Sequence, residues 1–216
     1  MLPRAVSLLL SFVVLCLLAA ACQPIDPATF GGTVPPLTAT PPTDTPAPFS
    51  LDPNLPLEEQ VTEAIDNAYN HNYDERYYGA LPILDSLLAL DLPDDLRARA
   101  LVERGKAHIL RNDWAASTAD LIEALQLGGS LQDREQNRLC WGLGLLGRAE
   151  EALPYCETAL ANFESTYYRD SRGLALAQVG RYEEAVDDFQ SYIEDLDPVY
   201  HPQERAQRAG WVEQLK

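Results

Sequence analysis

From about residue 57 onward, apolar positions recur at helical spacing in short runs broken by turn residues. The clearest case is Leu174–Phe189, LALAQVGRYEEAVDDF. Before Gly180, small and apolar residues recur (Gly173, Leu174, Leu176); after it, Tyr182, Ala185, Val186, Phe189 and Ile193 share one helical face. Glycine takes a left-handed backbone at little cost and so can end a helix. The stretch therefore predicts two antiparallel helices on a tight turn. A pair this small cannot bury its apolar face alone and needs neighbours of its own kind.

Such neighbours lie upstream. Units fall near 61–93, 98–129, 133–165 and 166–198, a period of about 33–37 residues. The pattern predicts helices over about 57–73, 77–90, 95–111, 114–127, 131–146, 149–162, 166–179 and 182–196. A last helix is expected over 202–215 as a cap, with Ala206, Ala209 and Trp211 against the stack. Its charged residues Glu204, Arg205, Arg208 and Glu213 are expected to face outward. Pro82 and Pro154 are expected near the first turns of their helices, where proline is tolerated.

The repeat resembles the tetratricopeptide (TPR) family of helix–turn–helix units. Gly105, Cys140 and Gly173 stand at its small position on the first helix. Tyr77, Trp114 and Tyr182 stand at its turn aromatic. Ala80, Ser117, Ala152 and Ala185, then Ala124 and Ala159, stand at its small positions on the second helix, and Pro93 and Pro198 close units. Departures are Ala149 at the turn aromatic of the third unit, and Leu87 and Tyr192 at the second small position of the first and fourth. The resemblance spans about 60–198 and implies an all-α solenoid of about four helix pairs plus a C-terminal capping helix.

The chain ahead of the repeats reads as an address and a spacer. Residues 1–21 form a secretory signal peptide: Arg4, then the uncharged apolar run Ala5–Ala21. Cys22 at the first mature position resembles the lipobox cysteine of bacterial lipoproteins, which implies acylation and a membrane anchor; ordinary secretion without a lipid and an uncleaved anchor are the alternatives. Residues 22–57 carry the anchor cysteine and a Pro/Thr-rich linker expected to be disordered and stiff. The repeat domain is expected to occupy 58–216.

A formal charge of −17 argues against a nucleic-acid partner, since phosphate binding needs a basic face. The sequence holds no His-Glu-x-x-His, Gly-x-Ser-x-Gly or phosphate-loop motif, so no catalytic residues and no cofactor are expected. His71 and His108 fall at equivalent packing positions with no ligand cluster around them, so no metal is expected either. Cys140 and Cys156 lie on the two helices of one hairpin at inward positions; in an exported chain they are either a disulfide or two buried small residues.

The TPR resemblance implies that the first helices of the units line a concave groove that receives a protein or peptide. Candidate groove residues are Tyr69, Tyr73, Arg99, Lys106, Arg134, Asn137, Trp141 and Tyr167. The expected function is protein–protein interaction on the outer side of a bacterial membrane, without an enzymatic step. A permanent accessory subunit of an envelope complex, binding through another face, is a second reading, and binding of cell-wall glycan or peptide a third.

Overall fold

Four positive-φ residues mark where the chain turns back: Asn112 (59°), Gly128 (82°), Gly147 (71°) and Gly180 (82°). Each closes a helix with the same pair of bonds. Arg181 N–H donates to Leu176 O at 2.9 Å and Gly180 N–H to Ala177 O at 3.3 Å; Asp113 to His108 and Asn112 to Ile109 repeat the pattern. This is the Schellman arrangement, which satisfies the last carbonyls of a helix. Asn112 is the non-glycine case, and asparagine tolerates this region better than most residues. Its Oδ1 also accepts from Trp114 Nε1 at 2.9 Å.

The computed structural model describes residues 49–73 and 79–216, with side chains for all of these except 69–73. Among the described residues the chain is all helix: α1 (Leu57–Tyr73), α2 (Ala80–Leu88), α3 (Asp94–Leu110), α4 (Trp114–Gln126), α5 (Asp133–Leu145), α6 (Ala149–Asn162), α7 (Thr166–Gln178), α8 (Tyr182–Asp195) and α9 (Pro202–Leu215). The signal peptide, Cys22, the linker up to residue 48, Tyr77 and the side chains of Tyr69, His71 and Tyr73 lie outside the described residues.

Helices pair as hairpins α1–α2, α3–α4, α5–α6 and α7–α8, and α9 packs on α8. First helices also pack on each other, α1 on α3 and α5 on α7. Between α3 and α5 the backbones approach less closely, so a seam opens on that face. Three large apolar clusters run along the stack, beside a small one of Ala159, Leu160 and Tyr168. Leu84, Leu87 and Leu101 centre the first, Leu121, Leu139 and Leu143 the second, Leu174, Phe189 and Trp211 the third. Each fully buried Leu or Phe contributes roughly 1.5–3 kcal/mol.

The second and fourth hairpins close in the same way. Eight residues before and after the turn, Arg104 grips Asp120 (2.7 and 2.9 Å) and Arg172 grips Asp188 (2.8 and 2.8 Å). One step further in, Gly105 meets Leu121 and Gly173 meets Phe189; a Cβ added there would lie 3.3 Å and 2.9 Å from the facing side chain. The TPR small position is therefore small because a large residue from the partner helix fills the space.

Three local expectations are corrected. Residues 49–56 do not behave as linker: Phe49 N–H donates to Ser86 Oγ at 2.8 Å, and Gln60 Nε2 donates to Leu55 O at 2.9 Å. Phe49 also packs on the first apolar cluster. Pro154 lies inside α6, beyond its first turn, and is exposed, where water can take the carbonyl it leaves without a donor. On α9, Ala206 and Ala209 are exposed whereas Arg208 is buried with Trp211, Val212 and Leu215.

Candidate binding groove

The seam between α3 and α5 holds two adjoining cavities. One, of about 580 Å³, is lined by Ile65 and Asp66 from α1, Arg99 and Val102 from α3, and the Gly128–Ser130 loop. The other, of about 450 Å³, is lined by Asp133, Arg134 and Arg138 from α5 and by Phe163 and Tyr168. Lys106, Gln132 and Glu135 border both, so the two form one groove.

An alternating charge network bridges the seam. Lys106 Nζ donates to Glu103 Oε1 at 2.7 Å on its own helix and faces Glu135 Oε1 of α5 at 3.7 Å. Arg138 donates to the same Glu135 oxygen at 2.9 Å. Glu103 and Glu135 are buried, and buried carboxylates need such partners. Lys106 and Glu135 thus link α3 to α5 across the seam.

The expected groove residues divide accordingly. Arg99 and Arg134 are exposed on the cavity walls. Arg99 donates to Thr62 Oγ1 at 3.3 Å. Lys106 is on the groove but already engaged by two carboxylates. Asn137 is only 1 % exposed, so it faces the interior and cannot meet a partner. Tyr167 is 53 % exposed at the start of α7 and lines neither cavity; its ring stands 6.1 Å from Tyr168 and 6.4 Å from Tyr192.

Trp141 is half-buried and covered from within the chain. The Arg208 guanidinium of α9 lies 5.3 Å from its ring centre, 5.8 Å from that of Tyr192 and 4.2 Å from that of Trp211. The same guanidinium makes a two-pronged bond to Asp170 of α7, at 2.6 and 2.7 Å. Both partners are at most 5 % exposed. Burial pushes the Asp170 carboxyl above its ordinary value, and Arg208 opposes that shift. Tyr192 donates to Glu204 Oε1 at 2.7 Å. Burial and this bond push its phenol far above the ordinary range. The inner face is thus closed at its C-terminal end and open over the first three hairpins.

Sequence reasoning missed Arg208, Glu103, Glu135, Arg138, Phe163 and Tyr168. For Arg208 a signal existed: it sits three and four residues before Trp211 and Val212 on the same helical stripe. His108 lies between Asp113 (3.9 Å) and Asp120 (3.8 Å), at packing rather than ligand distances. Among the described residues there is no group of three or more His, Cys, Asp or Glu placed to hold a metal. Cys140 and Cys156 are joined by a disulfide, with Cα atoms 5.0 Å apart, and both are fully buried.

No family model and no curated relative matches the chain. Solved structures do. The crystal structure of YrrB, a TPR protein with an unusual peptide-binding site, superposes with a TM-score of 0.55 at 23 % identity. The match covers 74 % of this chain and 86 % of YrrB. A mutant of MamA gives a TM-score of 0.51 at 19 % identity, covering 72 % of this chain and 86 % of that one. At these identities the likeness establishes the fold: an all-helical, TPR-like solenoid.

Proposed function

We propose that the chain is a membrane-anchored, extracytoplasmic recognition protein whose α1–α3–α5 groove binds a segment of a partner protein. The observation that carries this is the open seam: two cavities sharing Lys106, Gln132 and Glu135, braced by a preformed charge network. A preformed groove spares the partner much of the ordering cost of binding. Val102 offers apolar contact, and the exposed guanidinium groups of Arg99 and Arg134 suit acidic side chains. A peptide-binding site in YrrB supports this reading. Acylation of Cys22 fixes the chain to the membrane, and the Pro/Thr segment gives it reach. The Cys140–Cys156 disulfide supports an oxidising compartment. Nothing in this mechanism is a chemical step.

The test is crosslinking and capture from native membranes with three full-length chains. They are the wild type, an Arg99→Glu/Arg134→Glu groove variant, and a Glu157→Lys/Asp187→Lys variant of the exposed second helices. The reading requires one envelope protein recovered by the wild type and the second-helix variant and lost by the groove variant. Equal recovery by all three, or loss only with the second-helix variant, overturns it.

A second reading has its own observation. Between α8 and α9, Val199 and Tyr200 are 77 % and 80 % exposed. Their backbone N–H groups are held by Asp197 Oδ1 at 2.7 and 3.2 Å. An ordered apolar knuckle of this kind suits a permanent subunit contact. If the accessory-subunit reading holds, Val199→Asp/Tyr200→Asp abolishes capture and the groove variant does not.

A further inference from the structure

The third hairpin departs from its neighbours at the two places where they are closed. At the position where the second and fourth hairpins carry Arg104–Asp120 and Arg172–Asp188, the third carries Leu139 and Tyr155. Both sets lie eight residues either side of the left-handed turn residues Asn112, Gly147 and Gly180. One step further in, the neighbours carry Gly105–Leu121 and Gly173–Phe189, and the third hairpin carries Cys140–Cys156. All these pairs are 16 residues apart, as the disulfide is. At the small–large pair the two helices are in tight contact, and at the same place in the third hairpin the two cysteines stand within bonding reach, their Cα atoms 5.0 Å apart.

We infer that the disulfide replaces the missing charge pair as the element that closes the third hairpin, so that oxidation sets the position of α5. The two closures act differently. A two-pronged Arg–Asp bond holds the folded hairpin but does not restrain the unfolded chain. A disulfide closes a 16-residue loop and restrains the unfolded chain as well. Tyr155 is half-buried and Leu139 fully buried, so this hairpin has no charged pair to fall back on at that position. The consequence reaches the groove, because α5 supplies Gln132-flanking residues Asp133, Arg134, Glu135 and Arg138 to it. That last step rests on the groove reading; the closure itself does not.

Hydrogen exchange on the full chain tests the closure without reference to any partner. Alkylation before and after reduction is expected to show Cys140 and Cys156 protected until the bond is cut. Reduction, or a Cys140→Ala/Cys156→Ala variant, is expected to speed amide exchange across α5 and α6 on the order of 100-fold, leaving α3 and α4 unchanged. A variant carrying the second hairpin's residues (Leu139→Arg, Cys140→Gly, Tyr155→Asp, Cys156→Leu) is expected to restore slow exchange with no disulfide present. Free thiols in the exported chain, or α5 exchange unaffected by reduction, overturns the inference. If the alanine variant does not fold, the reduced wild-type chain supplies the same comparison. A failure here leaves the groove reading standing, since that depends on Arg99 and Arg134 and is read by capture.

Discussion

A methyl group added at Gly147 and one added at Gly210 should act in opposite directions. Gly147 sits at φ 71°, where any Cβ crowds the following carbonyl. Gly147→Ala is expected to cost about 1–2 kcal/mol in denaturant unfolding. Gly210 lies inside α9, and an added Cβ would meet nothing within 4 Å beyond its own helix backbone and chain neighbours. Gly210→Ala should therefore stabilise by about 0.5–1 kcal/mol, through a smaller entropy loss on folding. Gly173→Ala belongs to neither class. Its Cβ would meet Phe189 at 2.9 Å, and overpacking there is expected to cost about 1–3 kcal/mol. At this scale the turn glycines were legible from sequence, because a helical period stops at each of them. Arg208 was harder to read: its place three and four residues before Trp211 and Val212 points inward, but its charge reads as outward until a buried partner is known, and Asp170 lies 38 residues away.

Among the elements, α9 is more than a lid on the last hairpin. Trp211, Val212 and Leu215 complete the third apolar cluster, and Arg205 donates to the C-terminal carbonyls of α8, Ile193 O and Leu196 O. Arg208 then ties α9 to α7 and covers Trp141 of α5. Arg208→Ala is expected to lower stability by about 3–5 kcal/mol, because it leaves the Asp170 carboxylate buried without a partner. An Asp170→Leu/Arg208→Met double variant should recover most of that loss; thermal unfolding of the set distinguishes the two. Helix positions were legible because apolar residues recur at 3.6-residue spacing between strong stops. The docking of Phe49 on the first hairpin was not, since it depends on a hydrogen bond to Ser86, 37 residues further on, in a stretch dominated by proline and threonine.

Over the whole molecule, the repeat period announces a stack of helical hairpins, and the described residues have that form. What the period does not reveal is where the inner face stays open. That depends on three non-local facts. The backbones of α3 and α5 stand apart, the Glu103–Lys106–Glu135–Arg138 network spans the gap, and Arg208 closes the far end. Of the expected groove residues, Arg99 and Arg134 line the open part, Lys106 is held within its network, and Asn137 is turned inward. On the proposed groove reading, the exposed guanidinium groups make affinity for an acidic segment fall as ionic strength rises. The most direct test of the groove is a hydrogen-exchange footprint of the full chain with its captured partner. The account predicts slowed exchange in α3, the Gly128–Ser130 loop and the first turns of α5, with α6 and α8 unchanged. Protection confined to α6, α8 or the Val199–Tyr200 turn would contradict it.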